Sequence, residues 1–545
     1  MEQVIFKHTP HLRYYMKNFS LSPRIVEAVI VTAIMLGSIH LFAERISHAG
    51  LPDGDEGSWM SVAAEFSHGQ GFTTLWYEHP FQKPAILPRP DDFRYPGLVL
   101  SLALAFKAFG ISYQTALWTV AFIFFLYLLT VYFVCRRAFS VKTAVLTMAV
   151  SAASLLQLYW NTTVYSEGLF GLIAGLLILW TISWPDKKKI LFWIALGAGC
   201  GVLYNVRPNG LLFGAGIAWL YFRERRNGVP FLMPFAAFGT MALVMTPWLI
   251  RTWMCFGNPF HISGSAGLLR AASGDPVTLS LCQFFSHYGP FVPVKSTYLG
   301  IVPFFEALNF FEHLLFLIPL AGVLTGLILR KKFFNSFVSA NALIMLFACF
   351  YVSSPNIGSW AGVRYYSSLL PFVYGYGIYS LLALFDSQIK PRVPKMAMIA
   401  ITAFFCMLLF APVYYPHRYY ERTFRKTAKT NLAFSEHLNS LTALLGEKNA
   451  YFAARLGQLN FLTERHCVGI QAFVDSTQVP RLMRCFSPVV LALTPAEMKN
   501  ERIAAIMREI VREGHTLILA DSNRYAYYYR IKDAGGSNTA MDIVR

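Results

Sequence analysis

The sequence predicts an α-helical polytopic membrane protein of about eleven transmembrane helices, followed by a small C-terminal α/β extracytoplasmic domain. Three observations predict it. Charged residues make up 14% of the 545 and hydrophobic residues 55%, where a soluble globular chain carries about 25% charge. Apolar stretches near the roughly 20 residues that cross a bilayer recur along the chain, and the mean hydropathy is +0.45. Beyond Val413 the charge rises, and short β-like runs alternate with helical periodicity.

The order of the spans follows from the basic residues. Six clusters punctuate the apolar runs: Lys7/Arg13/Lys17/Arg24, Arg136/Arg137/Lys142, Lys187/Lys188/Lys189, Arg223/Arg225/Arg226, Arg330/Lys331/Lys332 and Lys390/Arg392/Lys395. Placing all of them on the cytoplasmic side satisfies the positive-inside rule, so each interval holds an even number of crossings. Residues 25–43 cross outward, without a small-residue cleavage site after them, so this helix is expected to stay in place. Residues 116–134 return. The apolar stretch 98–110 is short, and parity makes it a juxtamembrane helix on the outer face. Pairs follow at 143–160 and 165–184, 190–205 and 209–222, 229–250 and 310–329, and 334–352 and 365–384. A last span, 396–412, goes out alone and leaves the C-terminus external. The membrane domain is thus 1–412, with large outer loops at 44–97 and 251–310, and the outer α/β domain is 413–545. Loops that long are usually functional. In the outer domain, 450–454, 467–471, 489–493 and 516–520 read as buried strands. Residues 497–514 read as a helix that Thr494-Pro495 caps and opens.

The net charge of +18 does not indicate nucleic-acid binding, because the basic residues sit between apolar runs rather than on a soluble face with interleaved aromatics. Eight cysteines lack CxxC spacing, which points to neither a zinc site nor a redox motif. Cys467 and Cys485 either pair in an oxidising compartment or are two free thiols.

Chemistry is concentrated at the outer ends of the spans. Asp53, Asp55 and Glu56 lie within four residues of the first outer loop, in Asp53-Gly54-Asp55-Glu56-Gly57. They form either an acidic helix start favoured by the helix dipole or a base held above the membrane. Glu167 opens a membrane helix, where an ionisable group is costly and marks a functional site unless it serves only that helix start. Arg94, Arg207, Arg251 and Arg364 stand near outer helix ends against the positive-inside trend. Single arginines there are interface anchors; four beside acids also suit bidentate binding of phosphate. His79 beside Glu78 is either a lone histidine or half of a divalent-metal site.

In this order the motifs resemble the GT-C superfamily of membrane glycosyltransferases, in particular its family 39 and aminoarabinose-transferase-like bacterial members. Asp55-Glu56-Gly57 resembles the acidic motif after the first helix, and Arg94-Tyr95-Pro96-Gly97 the proline-bearing segment before an apolar helix. Tyr165-Ser166-Glu167 resembles the second acidic position. Arg207-Pro208, Thr246-Pro247-Trp248-Leu249-Ile250-Arg251 with Phe256-Gly257-Asn258-Pro259, and Arg364-Tyr365 through Pro371 look like the later signatures. The set spans roughly 25–385. The sequence departs from the pattern at the extra acid Asp53, and at Lys83-Pro84 and Tyr95-Pro96, which divide the features of a Lys-Pro-Pro run.

The resemblance implies an inverting glycosyltransferase in a bacterial inner membrane, with a cytoplasmic N-terminus and a periplasmic C-terminal domain. Its donor would be a polyprenyl-phosphate-linked sugar and its acceptor a lipid, glycan or protein, with membrane lipids around it. The catalytic residues would be Asp55 as base, with Glu56 and Glu167. Asp53, Lys83, Arg94, Tyr95, Arg207, Arg251, Arg364 and Tyr365 would bind substrate. The resemblance implies no specific cofactor; Glu167 would orient the acceptor, or bind a divalent metal where the enzyme uses one. Rival classes are a transporter or flippase of a lipid-linked glycan, which usually shows internal repeats and a midplane site, a polyprenyl-diphosphate-dependent polymerase or ligase, and a purely structural or binding protein.

Overall fold

The apolar runs fold as helices because a chain in lipid has to satisfy its backbone polar groups internally. The computed structural model describes residues 22–47, 54–77, 86–260, 292–328, 336–353 and 359–386, and in the C-terminal part 451–454, 466–469, 479–486, 488, 490–493, 498–522 and 527–533. Three of the described helices are long and apolar enough to cross a membrane: Arg24–Glu44, Tyr113–Ala138 and Met233–Phe256. Shorter apolar helices pack around them. The predicted span 396–412 lies outside the described residues.

In chain order the helices are α1 (Pro23–Ser47), α2 (Gly54–Ser67), α3 (Pro96–Phe109), α4 (Tyr113–Ala138), α5 (Val141–Ala153), α6 (Leu155–Asn161), α7 (Glu167–Ser183), α8 (Ile190–Val206), α9 (Phe213–Glu224), α10 (Met233–Phe256), α11 (Val292–Ile328), α12 (Ser336–Val352), α13 (Ser359–Tyr366) and α14 (Leu370–Leu384). Serine side chains start three of them. Ser112 accepts from the Thr115 N–H of α4, Ser140 from Thr143 of α5, and Ser154 from Gln157 of α6, each satisfying a donor that the first helical turn leaves open.

Three expectations are corrected. The stretch 143–160, read as one span, is two helices bent by 62°, because Ser154 stops α5 and caps α6. The first outer loop, expected without regular elements, holds α2 and three two-residue strands among its described residues, β1 (Thr73–Thr74), β2 (Trp76–Tyr77) and β3 (Arg89–Pro90). The helix read from residue 310 begins at Val292, which shortens the second outer loop.

The C-terminal part is α/β, as expected. Its six-stranded sheet runs in the order β2-β5-β4-β6-β8-β7, with β4 (Tyr451–Ala454), β5 (His466–Gly469), β6 (Val490–Leu493), β7 (His515–Ser522) and β8 (Tyr527–Asp533). Strands β4, β5 and β6 are mutually parallel, and β8 is antiparallel to both β6 and β7. Helices α15 (Val479–Phe486) and α16 (Glu501–Arg512) cover it. Strand β8 and helix α15 are additions to the predicted set; the expected helix start at Thr494-Pro495 lies outside the described residues, Met498 is helical, and α16 follows from Glu501. Cys467 and Cys485 are both free thiols.

One strand of this sheet comes from the first outer loop. β2 pairs in parallel with β5, Trp76 opposite Cys467, and the Cys467 N–H donates to the Leu75 carbonyl at 2.9 Å. Leu87, from the same loop, is buried in the core that Val468, Leu482, Phe486, Leu491 and Ile506 build. The loop that carries the acidic motif is therefore attached at both its strand and its apolar anchor to the C-terminal unit.

Candidate active site

The first acidic motif divides at the start of α2. Successive helical residues point about 100° apart, so Asp55 faces out, with its side chain 57% exposed, while Glu56 is buried. One Glu56 oxygen accepts from the Val164 N–H at 2.7 Å and the other from the Tyr113 hydroxyl at 3.1 Å. Glu56 thus ties the head of α2 to α4 and to the turn before α7, and its neighbour Asp55 is held over that turn.

Glu167, in the first turn of α7, is buried and bound by two arginines. Arg207 Nη1 lies 2.9 Å from its Oε1, and Arg364 Nε donates to the same oxygen. Arg364 also reaches Asp55, its Nη1 3.5 Å from Oδ2, and Arg94 Nη2 approaches the other Asp55 oxygen at 3.9 Å. Five ionised side chains from five separate segments therefore form one chain of contacts: Arg207, Glu167, Arg364, Asp55 and Arg94. With three cations against two carboxylates, the cluster has a surplus positive charge, and its exposed member is Asp55.

Aromatic rings wall the arginines. Arg364 lies 3.9 Å from the Tyr165 ring centroid and 5.0 Å from that of Trp160, and Arg207 lies 4.3 Å from that of Tyr365. Arg94 lies over Phe93 at 5.1 Å and Trp59 at 5.7 Å. Such contacts strengthen on desolvation.

Backbone contacts set these positions. The turn after α13 is held by the Tyr127 hydroxyl donating to the Ser368 carbonyl at 2.7 Å and by Gln157 Nε2 donating to that of Ser367 at 2.6 Å. The Ser368 hydroxyl donates to the Glu167 carbonyl at 3.0 Å, which fixes α13, and with it Arg364, against α7. At the head of α3, Gly97 lets the chain approach α8. A Cβ there would lie 2.6 Å from Val206 Cγ2 and 3.0 Å from Val206 Cα. Gly97→Ala is expected to cost about 1–3 kcal/mol by overpacking and to widen the spacing of Arg94 and Arg207. A melting midpoint in detergent equal to the wild type's would contradict this close approach.

Arg251 belongs to a second cluster. Its Nη2 donates to the Phe72 carbonyl at 2.8 Å, which also accepts the Asp91 N–H at 2.9 Å. Its guanidinium lies 4.7 Å from the Trp248 ring centroid. Asp91 Oδ2 accepts the N–H groups of Phe93 and Arg94 at 3.1 and 2.6 Å, and Arg89 forms a buried ion pair with Asp92 at 2.9 Å. Burial pushes the Asp91 carboxyl up, against the opposing charge of Arg94. The cluster shapes the backbone that aims Arg94.

Of the residues singled out in the sequence, Asp55, Glu167, Arg94, Arg207, Arg364 and Tyr365 come together, and Glu56 braces them. Arg251 does not join them. Tyr95 is buried, packed on Tyr204 and Trp248 with centroids 5.6 and 5.7 Å away, so it supports the segment instead of facing the cluster. Asp53, Lys83, Glu78 and His79 lie outside the described residues. Sequence reasoning missed Arg89, Asp91, Asp92, Trp59 and Trp160. The charged run Arg89-Pro90-Asp91-Asp92 just ahead of Arg94 was the available signal for the first three.

No family model and no curated protein matches the chain. Solved structures do. A crystal structure of ArnT from Cupriavidus metallidurans bound to undecaprenyl phosphate matches with a TM-score of 0.53 at 13% identity, covering 93% of this chain and 97% of that one. The archaeal oligosaccharyltransferase AglB from Archaeoglobus fulgidus, in complex with an inhibitory peptide and a dolichol-phosphate, matches with a TM-score of 0.60 at 12% identity over 92% of this chain and 74% of that one. The chain shares the fold of these two structures. At these identities the likeness is one of fold alone.

On this scaffold the cluster sits where the heads of α2 and α7, the tail of α8 and the helix α13 converge. Among the described residues no three His, Cys, Asp or Glu side chains gather as metal ligands.

Proposed function

We propose that this chain is an integral-membrane glycosyltransferase that moves a sugar from a polyprenyl-phosphate carrier to an acceptor hydroxyl, with inversion at the anomeric carbon. The observation that carries the proposal is the exposed Asp55 carboxylate held beside a surplus of positive charge, Arg94, Arg364 and Arg207 against Asp55 and Glu167, on a GT-C fold. In the proposed reaction the acceptor oxygen attacks the anomeric carbon, and its proton passes to Asp55. The bond from that carbon to the phosphate oxygen breaks, and its electron pair leaves with the phosphate. The donor's single negative charge becomes two on the departing polyprenyl phosphate. Fixed guanidinium groups in a site of low polarity are suited to stabilise charge that grows in this way. Glu167 keeps Arg207 and Arg364 oriented. Arg251, Tyr95, Asp53 and Lys83 complete the proposed binding set, Arg251 and Tyr95 through the backbone they support. No step is routed through a metal.

The membrane part is assigned to 1–412 and the α/β domain to 413–545, facing the periplasm of a bacterial inner membrane. The sugar acceptor belongs to the class of lipids, glycans or proteins exposed there.

The test is an assay of the purified protein with radiolabelled polyprenyl-phosphate sugars and a membrane extract. Label passing from the monophosphate carrier to an extract component is the expected result. Turnover only with diphosphate-linked donors, or carrier movement without transfer, assigns the chain to a ligase or a transporter instead. Topology is checked separately. Alkaline phosphatase fused after Arg545 is expected to be active, and an inactive fusion with an active cytoplasmic reporter would reverse the orientation.

A further inference from the structure

We infer that the end of the bundle opposite the arginine–carboxylate cluster carries a binding groove for one anionic glycerophospholipid. Glu167 opens α7 at the cluster, and α7 then follows α4, with Gly168, Gly171 and Gly175 against Ile123, Tyr127 and Thr130. They pack side by side and run in the same direction. Their last turns therefore lie at the far end, where they flank an open cavity of about 710 Å³.

The walls of the cavity match the two parts of a lipid. From α4 come Phe133, Arg136 and Arg137, at the i, i+3 and i+4 spacing that puts them on one face. From α7 come Leu176, Leu179 and Trp180. Phe133 is 46% and Leu176 50% exposed, so the groove offers apolar surface along the helices, with two guanidinium groups at its end. Trp180 packs against Trp184, with centroids 4.2 Å apart and the rings tilted by 36°, at the level where tryptophan rings favour the lipid head-group region. Beyond α7 the chain continues as Lys187-Lys188-Lys189, of which Lys187 is paired with Glu224 at 2.8 Å and Lys188 and Lys189 are exposed.

Charge selects the occupant. Glu27 of α1 pairs with Arg136 at 3.0 Å and holds it in place, and its hydroxyl neighbour Tyr132 donates to the same carboxylate. Arg137 is exposed and lines the groove. A zwitterionic head group would bring its own cation against that charge. A phosphodiester without one, as in phosphatidylglycerol, complements it, and basic pockets between membrane helices hold anionic head groups on this principle. The groove lies at the far end of the helices from Asp55, so occupancy does not compete with the proposed sugar donor.

The experiment is native mass spectrometry of the full chain, delipidated in a neutral detergent and titrated separately with phosphatidylglycerol, phosphatidylcholine and undecaprenyl phosphate. One tightly held phosphatidylglycerol is expected, in preference to phosphatidylcholine. Arg137→Gln, which leaves the Arg136–Glu27 pair intact, is expected to weaken that affinity about fivefold, the effect of one basic side chain at a membrane surface. Leu176→Trp, which fills the groove without altering charge, is expected to remove the bound lipid. Lys142→Gln is the control and should retain it. Equal retention of both phospholipids, or a wild-type affinity in Arg137→Gln and Leu176→Trp, would overturn the assignment. Preferential retention of undecaprenyl phosphate would overturn it too, by making the groove a second carrier site.

Discussion

Asp55→Asn is expected to lower sugar transfer by about 10²–10⁴-fold, the usual contribution of a positioned proton acceptor, while expression and melting midpoint stay at wild-type values. The geometry separates these two effects. Asp55 is the exposed carboxylate of the cluster, and its contacts with Arg94 and Arg364 are long, at 3.9 and 3.5 Å. An amide fits the same space, and Arg364 keeps Glu167 as its partner. What the amide cannot do is take the acceptor proton. The adjacent Glu56→Gln is the informative comparison. Glu56 is buried, and both its oxygens accept hydrogen bonds, so an amide there turns one acceptor into a donor facing another donor. That variant is expected to lose stability first and activity as a consequence. If Asp55→Asn turns over at the wild-type rate, the base lies elsewhere, and Asp53 becomes the next candidate.

The contrast between these neighbours marks the limit of what the sequence made legible. The apolar runs announced the helices because lipid leaves a backbone no other choice, and the acids and arginines stood out because they break the charge pattern of the loops. Which of two adjacent acids is exposed depends on the residue at which α2 begins, and an acidic helix start such as Asp53-Gly54-Asp55-Glu56 sets that only to within a residue or two. The division of the arginines was hidden for a similar reason. Arg207 and Arg251 both sit at helix ends with aromatic neighbours, yet one meets Glu167 and the other the Phe72 carbonyl. Their partners lie 40 and 179 residues away in sequence, and only the packing of the helices brings them close. Hydropathy also passes smoothly over Ser154, because a side chain that caps one helix costs no more in an apolar average than one inside it. Two-residue β2 left no periodic signal at all; its place in the sheet comes from β5, nearly four hundred residues further along.

The second large effect concerns Glu167. Glu167→Gln is expected to destabilise the protein by about 3–5 kcal/mol, the range for removing one partner of a buried ion pair, and to lower transfer beyond what the loss of folded protein explains. Its carboxylate is buried at the head of α7 and is shared by Arg207 and Arg364. Without it, two guanidinium groups face each other across a neutral amide, and Arg364 retains only the distant and exposed Asp55. The sign of a compensating change follows. In the Glu167→Gln background, Arg207→Gln removes the repulsion and is expected to recover part of the melting midpoint in detergent, while activity stays low because one of the three guanidinium groups proposed to face the donor phosphate is gone. A single Arg207→Gln change should leave Glu167 paired with Arg364 and cost less stability than Glu167→Gln does. The double-mutant cycle thus separates the carboxylate's part in holding the helices from the arginines' part in the reaction. Equal midpoints for wild type and Glu167→Gln would show that the pair is not formed in the folded protein. A double variant that recovers stability and activity together would mean that Arg207 does nothing for the donor phosphate beyond answering the charge of Glu167.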